Sequence, residues 1–220
     1  MAGSDGVLGL SAGEVLTTTR SVRRRLDLTR PVDRRLLLDS VRVAQQAPSG
    51  RNRQRWDFLF VTDARLRTGL AELWRLGLAH PTGADDTAPS RQEFDGAGWQ
   101  AIAGSVDHLV AHVHEVPVLL VPCVRIGTRA ELANPVVSAG TWGSVLPAVW
   151  SFMLAARDRG LGTVWTTQHL HYEERAAELL GIPYDSVMQC ALIPVAHFLG
   201  DGFKPGRRVE TGQVVHWECW

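Results

Sequence analysis

Two stretches of this chain hold residue types suited to binding an anion and a planar heteroaromatic ring. In Arg20-Ser21-Val22-Arg23-Arg24 a hydroxyl stands between guanidinium groups at a helix end, a donor set that fits a phosphate. In the stretch from Ala47 to Phe58 (Ala-Pro-Ser-Gly-Arg-Asn-Arg-Gln-Arg-Trp-Asp-Phe) a helix ends at Pro48, a polar turn follows, and a strand begins at Trp56. Ser49, Asn52 and Gln54 in that turn offer hydroxyl and amide groups to ring heteroatoms. Each stretch alone reads as a cap or a turn. Their pairing is the informative feature. Charge points the same way: residues 20 to 55 hold eleven arginines against Asp27, Asp33 and Asp39, a local +8 inside a chain of net charge zero. An anionic ligand is therefore expected near this segment.

These groups must be positioned by an alternation of helices and strands. Ser11-Ala12-Gly13-Glu14 reads as a capping box that opens a helix toward Arg20. Helical spacing runs from Pro31 to Ala47, with Leu36, Leu37, Val41 and Ala44 on one face. Trp56 to Val61 reads as a strand, and Asp63 to Ala79 as an amphipathic helix, followed by a Pro/Gly-rich loop through Gly96. Trp99 to His112 is a helix and Val116 to Arg125 a buried strand. A loop is expected over 127–138, then a helix from Ser144 to Arg159 with Pro147 in its first turn. Thr163 to Thr167, Tyr172 to Leu180 and Val187 to His197 read as strand, helix and a last long strand. No linker or repeat divides the chain. The expectation is one α+β domain over residues 1–220 with a tail from Gly200 to Trp220.

Composition bounds the class. With 220 residues, 45% hydrophobic and 21% charged, the chain is of ordinary globular make-up. Its longest apolar run, Val116 to Val124, is broken by prolines and falls well short of the ~20 residues a membrane helix needs. Neither a membrane anchor nor, since Met1 to Leu16 carries no basic residue, a secretory signal is expected, and the default is a cytoplasmic location. Three cysteines without C-x-x-C spacing suggest neither disulfides nor zinc. The common nucleotide-binding, serine-hydrolase and zinc-protease signatures are absent. His108 and His112 share a helix face near His114 and Glu115, which metal ligation would accept, but solvated or capping histidines are the favoured reading. A balanced charge and no recognition motif argue against nucleic acid.

At these residues the chain resembles the FMN-dependent nitroreductase family. Arg20-Ser21-Val22-Arg23 and the run from Ala47 to Phe58 match its R-S-V-R-like start and its A-P-S-x-x-N-x-Q-x-W-x-F loop. Ala155-Ala156-Arg157-Asp158-Arg159-Gly160-Leu161-Gly162-Thr163 is similar to its A-A-R-x-x-G-L-G-T stretch. Leu180-Gly181-Ile182-Pro183 with Ala191-Leu192-Ile193-Pro194 is similar to its L-G-I-P and A-L-I-P stretches. The closing His216-Trp217-Glu218-Cys219-Trp220 looks like an actinobacterial branch. The resemblance implies an α+β nitroreductase-like fold, a central mostly antiparallel sheet flanked by helices. It further implies a homodimer with FMN at the subunit interface and the C-terminal tail on the partner. NADH or NADPH and a small-molecule acceptor, a nitroaromatic or quinone, would alternate over one flavin face.

Carried over residue by residue, Arg20, Ser21 and Arg23 match the phosphate-binding start, and Arg207 and Arg208 a basic pair that closes over the phosphate. Pro48, Ser49 and Asn52 match the loop beside the flavin ring. Trp165, Thr166 and Thr167 stand where the family places donors near flavin N5. Arg51 or Arg53 is a candidate for positive charge near the N1/C2 edge. No catalytic acid or base is compelled, since the flavin carries the chemistry. Substrate choice is expected in segments 80–98 and 126–142. Three departures stand out: Arg25 where an aromatic residue is usual, Arg55 in place of proline or glycine, and Trp150-Ser151 in place of Gln-Asn. A different FMN-dependent reaction, or a non-catalytic flavin binder, stays open.

Overall fold

The structure, a computed structural model, describes residues 7–80 and 96–220. The element order is α1 (Ala12–Thr18), α2 (Arg34–Ala44), β1 (Trp56–Val61), α3 (Ala64–Leu78), α4 (Gly96–His112), β2 (Val118–Arg125), α5 (Pro135–Asp158), β3 (Leu161–Thr163), α6 (Glu173–Leu180), β4 (Val187–Gln189) and β5 (Ile193–His197). The strands form one sheet in the order β1-β2-β5-β3, with β4 also on β2, and every strand pair is antiparallel. This is the α+β arrangement of a central antiparallel sheet flanked by helices.

β2 explains why there are two cores. Successive side chains of a strand point to opposite faces. Leu119, Val121 and Cys123 enter one cluster with Leu70, Trp74 and Leu109, while Val118, Leu120 and Val124 enter the other with Leu37, Val149 and Phe152. A strand buried on both sides reads as a continuous apolar run, as this one does. In the second cluster Phe152 of α5 packs against Phe58 and Phe60 of β1 at ring-centroid distances of 6.0 and 5.8 Å.

The structure departs from the expected elements in three places that matter for the site. First, α5 begins at Pro135, nine residues before Ser144, because the Asn134 side chain accepts from the Val136 and Val137 N–H groups and Pro135 occupies the first turn. Pro147 is consequently inside the helix and not at its start. Second, this 24-residue helix is long and apolar enough to cross a membrane by length and composition, although its residues line the second core. Gly, Ser, Thr and Pro are interspersed along it, which hides its length from a search for unbroken apolar runs. Third, the last strand is split: Pro122 of β2 has no N–H to donate, and Leu192 leaves the β2 ladder to pair with Thr166 instead. β3 accordingly ends at Thr163 rather than Thr167. Residues 81–95, which include most of the first expected specificity segment, lie outside the described residues.

Candidate functional site

The Arg20–Arg23 segment is held by the end of α1 and by β3. The expected capping box forms, with Glu14 N–H donating to Ser11 Oγ and Ser11 N–H to Glu14 Oε2. At the other end Thr18 and Thr19 hydroxyls donate back to Glu14 and Val15 carbonyls, both at 2.6 Å, and the helix stops. The chain then runs extended past β3: Ser21 pairs with Thr163, and Val22 N–H donates to the Thr163 carbonyl at 2.9 Å. Gly162 permits this approach, since a Cβ there would come within 2.9 Å of Val22 Cγ1 and 3.2 Å of Leu26 Cδ2.

Cationic groups converge beside this segment. Arg20 donates to the Lys204 carbonyl, and its guanidinium carbon lies 3.3 Å from where a Gly206 Cβ would be. Arg208 Nη1 approaches the same point. Ser21 and Arg23 line a shallow cavity of about 170 Å³ with Arg24, Arg25 and Ser105, and burial pushes the Arg23 pKa down. Arg207 is exposed and turned away from these contacts; its carbonyl accepts from Arg208. Among the described residues none of Arg20, Arg23, Arg207 and Arg208 forms an ion pair. The chain that carries Lys204 to Arg208 is pinned by Arg25, which donates to the Leu199 and Gly202 carbonyls and stacks on Phe203 at 4.4 Å. So Arg25, unusual in sequence, has a structural task.

The segment after β3 brings Trp165, Thr166 and Thr167 to the rim of the sheet. Thr166 is fully engaged, both its N–H and its hydroxyl donating to the Leu192 carbonyl at 3.1 and 2.6 Å. The N–H groups of Trp165 and Thr167 have no acceptor among the described hydrogen bonds. Two residues on, His169 is wholly buried with neither ring nitrogen hydrogen-bonded, beside Gln189, whose Oε1 is likewise unpaired. Burial holds its pKa down at about 4, so the ring is neutral. In sequence His169 stands out as one of a histidine pair with His171, which carries no sign of its burial.

The 48–55 loop is built around backbone conformations that favour glycine. Arg51, Asn52 and Gln54 have φ of 56°, 52° and 49°, each costing about 1–2 kcal/mol for a typical L-residue and less for Asn. Local bonds hold them: Gln54 N–H donates to Ser49 Oγ at 3.1 Å, and Gln54 Nε2 donates to Asn52 Oδ1 at 2.9 Å. Gly50 N–H donates to Ser144 Oγ of α5. Pro48 is exposed and Ser49 half-buried. This strain is retained at a loop whose polar groups face outward, the usual circumstance of a ligand-binding turn.

The two halves of the expected site are not together in one chain. Ser49 meets α5 near Ser144, whereas Ser21 lies beside Thr163, beyond the far end of α5, and Ser144 to Asp158 spans about 21 Å of helix. The sheet gives the same answer. Trp56 pairs with Val124, and Thr163 pairs through Val195 with Val118; three strand steps and six residues along β2 separate them by about 24 Å. The histidines gather elsewhere, at the end of α4. His112 Nδ1 bonds Glu115 at 2.8 Å, and His114 is shared between Glu115 and Arg75. No group of three metal-ligating side chains is arranged to hold an ion among the described residues.

Comparison with known proteins places this geometry in context. The sequence model of the nitroreductase family matches residues 16–196. Among solved structures, a variant of the FMN- and NADPH-dependent nitroreductase NfnB from Sphigopyxis sp. strain HMH is 25% identical, with a TM-score of 0.68 over 96% of this chain and 100% of its own. An iodotyrosine deiodinase bound to FMN and 3-iodo-L-tyrosine shares the fold at 20% identity and TM-score 0.67, covering 94% and 99% of the two chains. A BluB-like flavoprotein from Clostridium difficile 630 does so at 16% identity and TM-score 0.68, covering 95% and 99%. No curated protein matches in sequence.

Proposed function

The chain belongs to the nitroreductase family, and we propose that it is an FMN-dependent oxidoreductase that takes electrons from NADH or NADPH. It passes them to a nitroaromatic, quinone or similar small acceptor, the two substrates using one site in turn. The observation that carries this reading is the convergence of Arg20 and Arg208 on Gly206, beside Ser21 and without a carboxylate partner. The two guanidinium groups repel each other, and an anion between them would offset that repulsion. The donor set fits the phosphate of a flavin mononucleotide: a guanidinium pair, the half-buried Arg23 and a hydroxyl. Arg207, exposed beside Arg208, is assigned to the same anion.

FMN, when bound, supplies the acceptance and donation of an electron pair with hydride. The chain's own residues do the rest. Arg20, Ser21, Arg23, Arg207 and Arg208 hold the phosphate end. Trp165 and Thr167 offer N–H groups toward the ring, while Thr166 fixes their position by its pair of bonds to Leu192. Ser49 and Asn52 offer a hydroxyl and an amide from a loop that local bonds hold in shape. Because Trp56, where that loop enters β1, is about 24 Å from Thr163 within one chain, we assign the loop to the partner's flavin. We therefore read the protein as a homodimer with two sites at the interface. Apolar side chains left exposed on α2, α5 and the tail (Leu38, Trp150, Trp217 and Trp220 among them) support that reading. No role for a membrane or a nucleic acid is proposed.

The test is the visible spectrum of the purified protein, before and after NADH or NADPH under anaerobic conditions. Bound FMN that bleaches with one donor and regains colour with a nitroaromatic or quinone is the expected result. Bound FMN that neither donor bleaches would leave a flavin binder or a different flavoenzyme. Absence of flavin even after FMN is supplied would overturn the proposal.

A further inference from the structure

Three arginines are unaccounted for by the phosphate end: Arg51, Arg53 and Arg55. They line a cavity of about 300 Å³ between the 49–56 loop and the first turns of α5. Its floor is apolar, made by Trp56, Val136, Val137 and Val145, and no acidic side chain lines it. Four described arginines pair with carboxylates, Arg35 and Arg42 with Asp39, Arg125 with Asp57 and Arg129 with Glu173, and several others, such as Arg25, Arg67 and Arg75, donate to backbone carbonyls. Among the described residues Arg51, Arg53 and Arg55 have no carboxylate partner. Arg55 is half-buried, and among the described residues its side chain makes one long hydrogen bond, to Thr141 Oγ1 at 3.4 Å. Three guanidinium groups over an apolar floor, in a volume that suits a single small ring system, describe a ligand with two parts. One part is apolar and planar, and the other is an anion that accepts forked hydrogen bonds.

We infer that this cavity takes a small aromatic acid, an aryl carboxylate, with its ring against Trp56 and the valines and its carboxylate among the three arginines. If the reductase reading above holds, on which this step rests, the class of acceptor is thereby narrowed to anionic aromatics. Reduction of a nitro group on such an acid to the nitroso level consumes one NAD(P)H and one proton and releases water.

The probe is 4-nitrobenzoate against its neutral isostere 4-nitrobenzamide, titrated calorimetrically into the flavin-loaded protein and also assayed as acceptors. One or two charge-assisted hydrogen bonds correspond to roughly tenfold or more in Kd in favour of the carboxylate. Arg55→Gln and Arg53→Gln should each reduce that preference to about threefold or less by this reasoning, with the amide's Kd unchanged, the comparison made per bound flavin, and the flavin content of Arg55→Gln as in the wild type. Arg53 is exposed, so its variant folds even if removal of Arg55 disturbs the loop. Equal affinity for the two compounds, no binding of either, or a preference untouched by both substitutions would overturn the inference. Loss of flavin in step with loss of the preference would also overturn it, assigning the arginines to the cofactor. Preferential binding of 4-nitrobenzoate without NAD(P)H-driven reduction would instead sink the reductase reading and leave the pocket standing.

Discussion

The separation of the phosphate-binding segment from the 48–52 loop can be tested by mixing two inactive variants. One chain carries Arg20→Ala and Arg208→Ala, which removes the guanidinium pair at Gly206. The other carries Ser49→Leu and Asn52→Leu, which removes the loop's hydroxyl and amide and the bonds that Gln54 makes to them. Each lost charge-assisted hydrogen bond to the phosphate weakens FMN by about 1.5–3 kcal/mol and each lost neutral bond from the loop by about 0.5–1.5 kcal/mol, so both homodimers should bind micromolar flavin poorly, the arginine variant most of all. In a two-fold dimer whose sites each combine one chain's arginines with the other's loop, a mixed dimer has one intact site and one doubly damaged site. Random reassociation makes half the dimers mixed, so about a quarter of the wild-type flavin content and activity should return. The assay is flavin absorbance and NAD(P)H oxidation after co-expression or unfolding and refolding of the mixture. If both halves of a site came from one chain, each chain would still be damaged and nothing would return. Zero recovery, with mixed dimers demonstrated by mass, would refute the 24 Å argument and the shared site with it.

Three further outcomes follow from local geometry. Gly162→Ala places a methyl 2.9 Å from Val22 Cγ1, so it should lower stability by about 1–3 kcal/mol and weaken FMN by displacing Ser21; an unchanged Tm together with an unchanged flavin Kd would show that this contact positions nothing. His169, with its pKa at about 4 against an ordinary 6.5, binds its proton more readily when unfolded, so stability falls as pH drops from about 6.5 toward 4. The ring alone should cost about 2 kcal/mol at pH 5 relative to pH 7, and urea unfolding of His169→Leu should show a pH dependence flatter by that amount; parallel curves would mean that the buried ring is protonated or solvated in the native state. Removal of residues 211–220, where Trp217 is 81% and Trp220 92% exposed, should leave the melting of the fold nearly unchanged but weaken association of two copies; sedimentation identical to the full chain would free the tail from any interface.

What was legible in the sequence was local. The Ser11–Glu14 capping box and the strand from Trp56 each depend on a few neighbouring residues and appear where expected, whereas the helix expected to reach Ala47 ends at Ala44, with turns over 45–47 before Pro48. Asn134-Pro135 carries an equally local signal, a cap followed by proline in the first turn, yet it falls inside the stretch 127–138 expected as a loop, and helix is expected only from Ser144. The break between β4 and β5 was illegible for a different reason. It depends on Leu192 finding Thr166 across the sheet, a pairing between distant residues that no periodicity reports. The same holds for Thr166 itself, whose donors looked available in sequence and are spent on Leu192 in the fold.

The arginines show most clearly what folding adds. Along the chain, residues 20 to 55 form a single block of charge +8, which suggests one strongly bound anion. In the fold the block divides. Arg20 joins Arg208 at Gly206, Arg35 and Arg42 face Asp39 along α2, and Arg51, Arg53 and Arg55 gather at the other end of α5. The charges of Arg35 and Arg42 are partly offset by Asp39 within their own helix, as i,i+3 and i,i+4 pairs allow. The two outer groups have no such partner, so like charges repel at a surface where Arg55 is half-buried and Arg20, Arg51, Arg53 and Arg208 are exposed. Ligand binding relieves that repulsion at both ends, so each anion should bind more weakly as salt screens the arginines. A chain that needs two separate anions, one held by hydroxyl and guanidinium and one set over an apolar floor, is better suited to a cofactor and a substrate than to a single ligand.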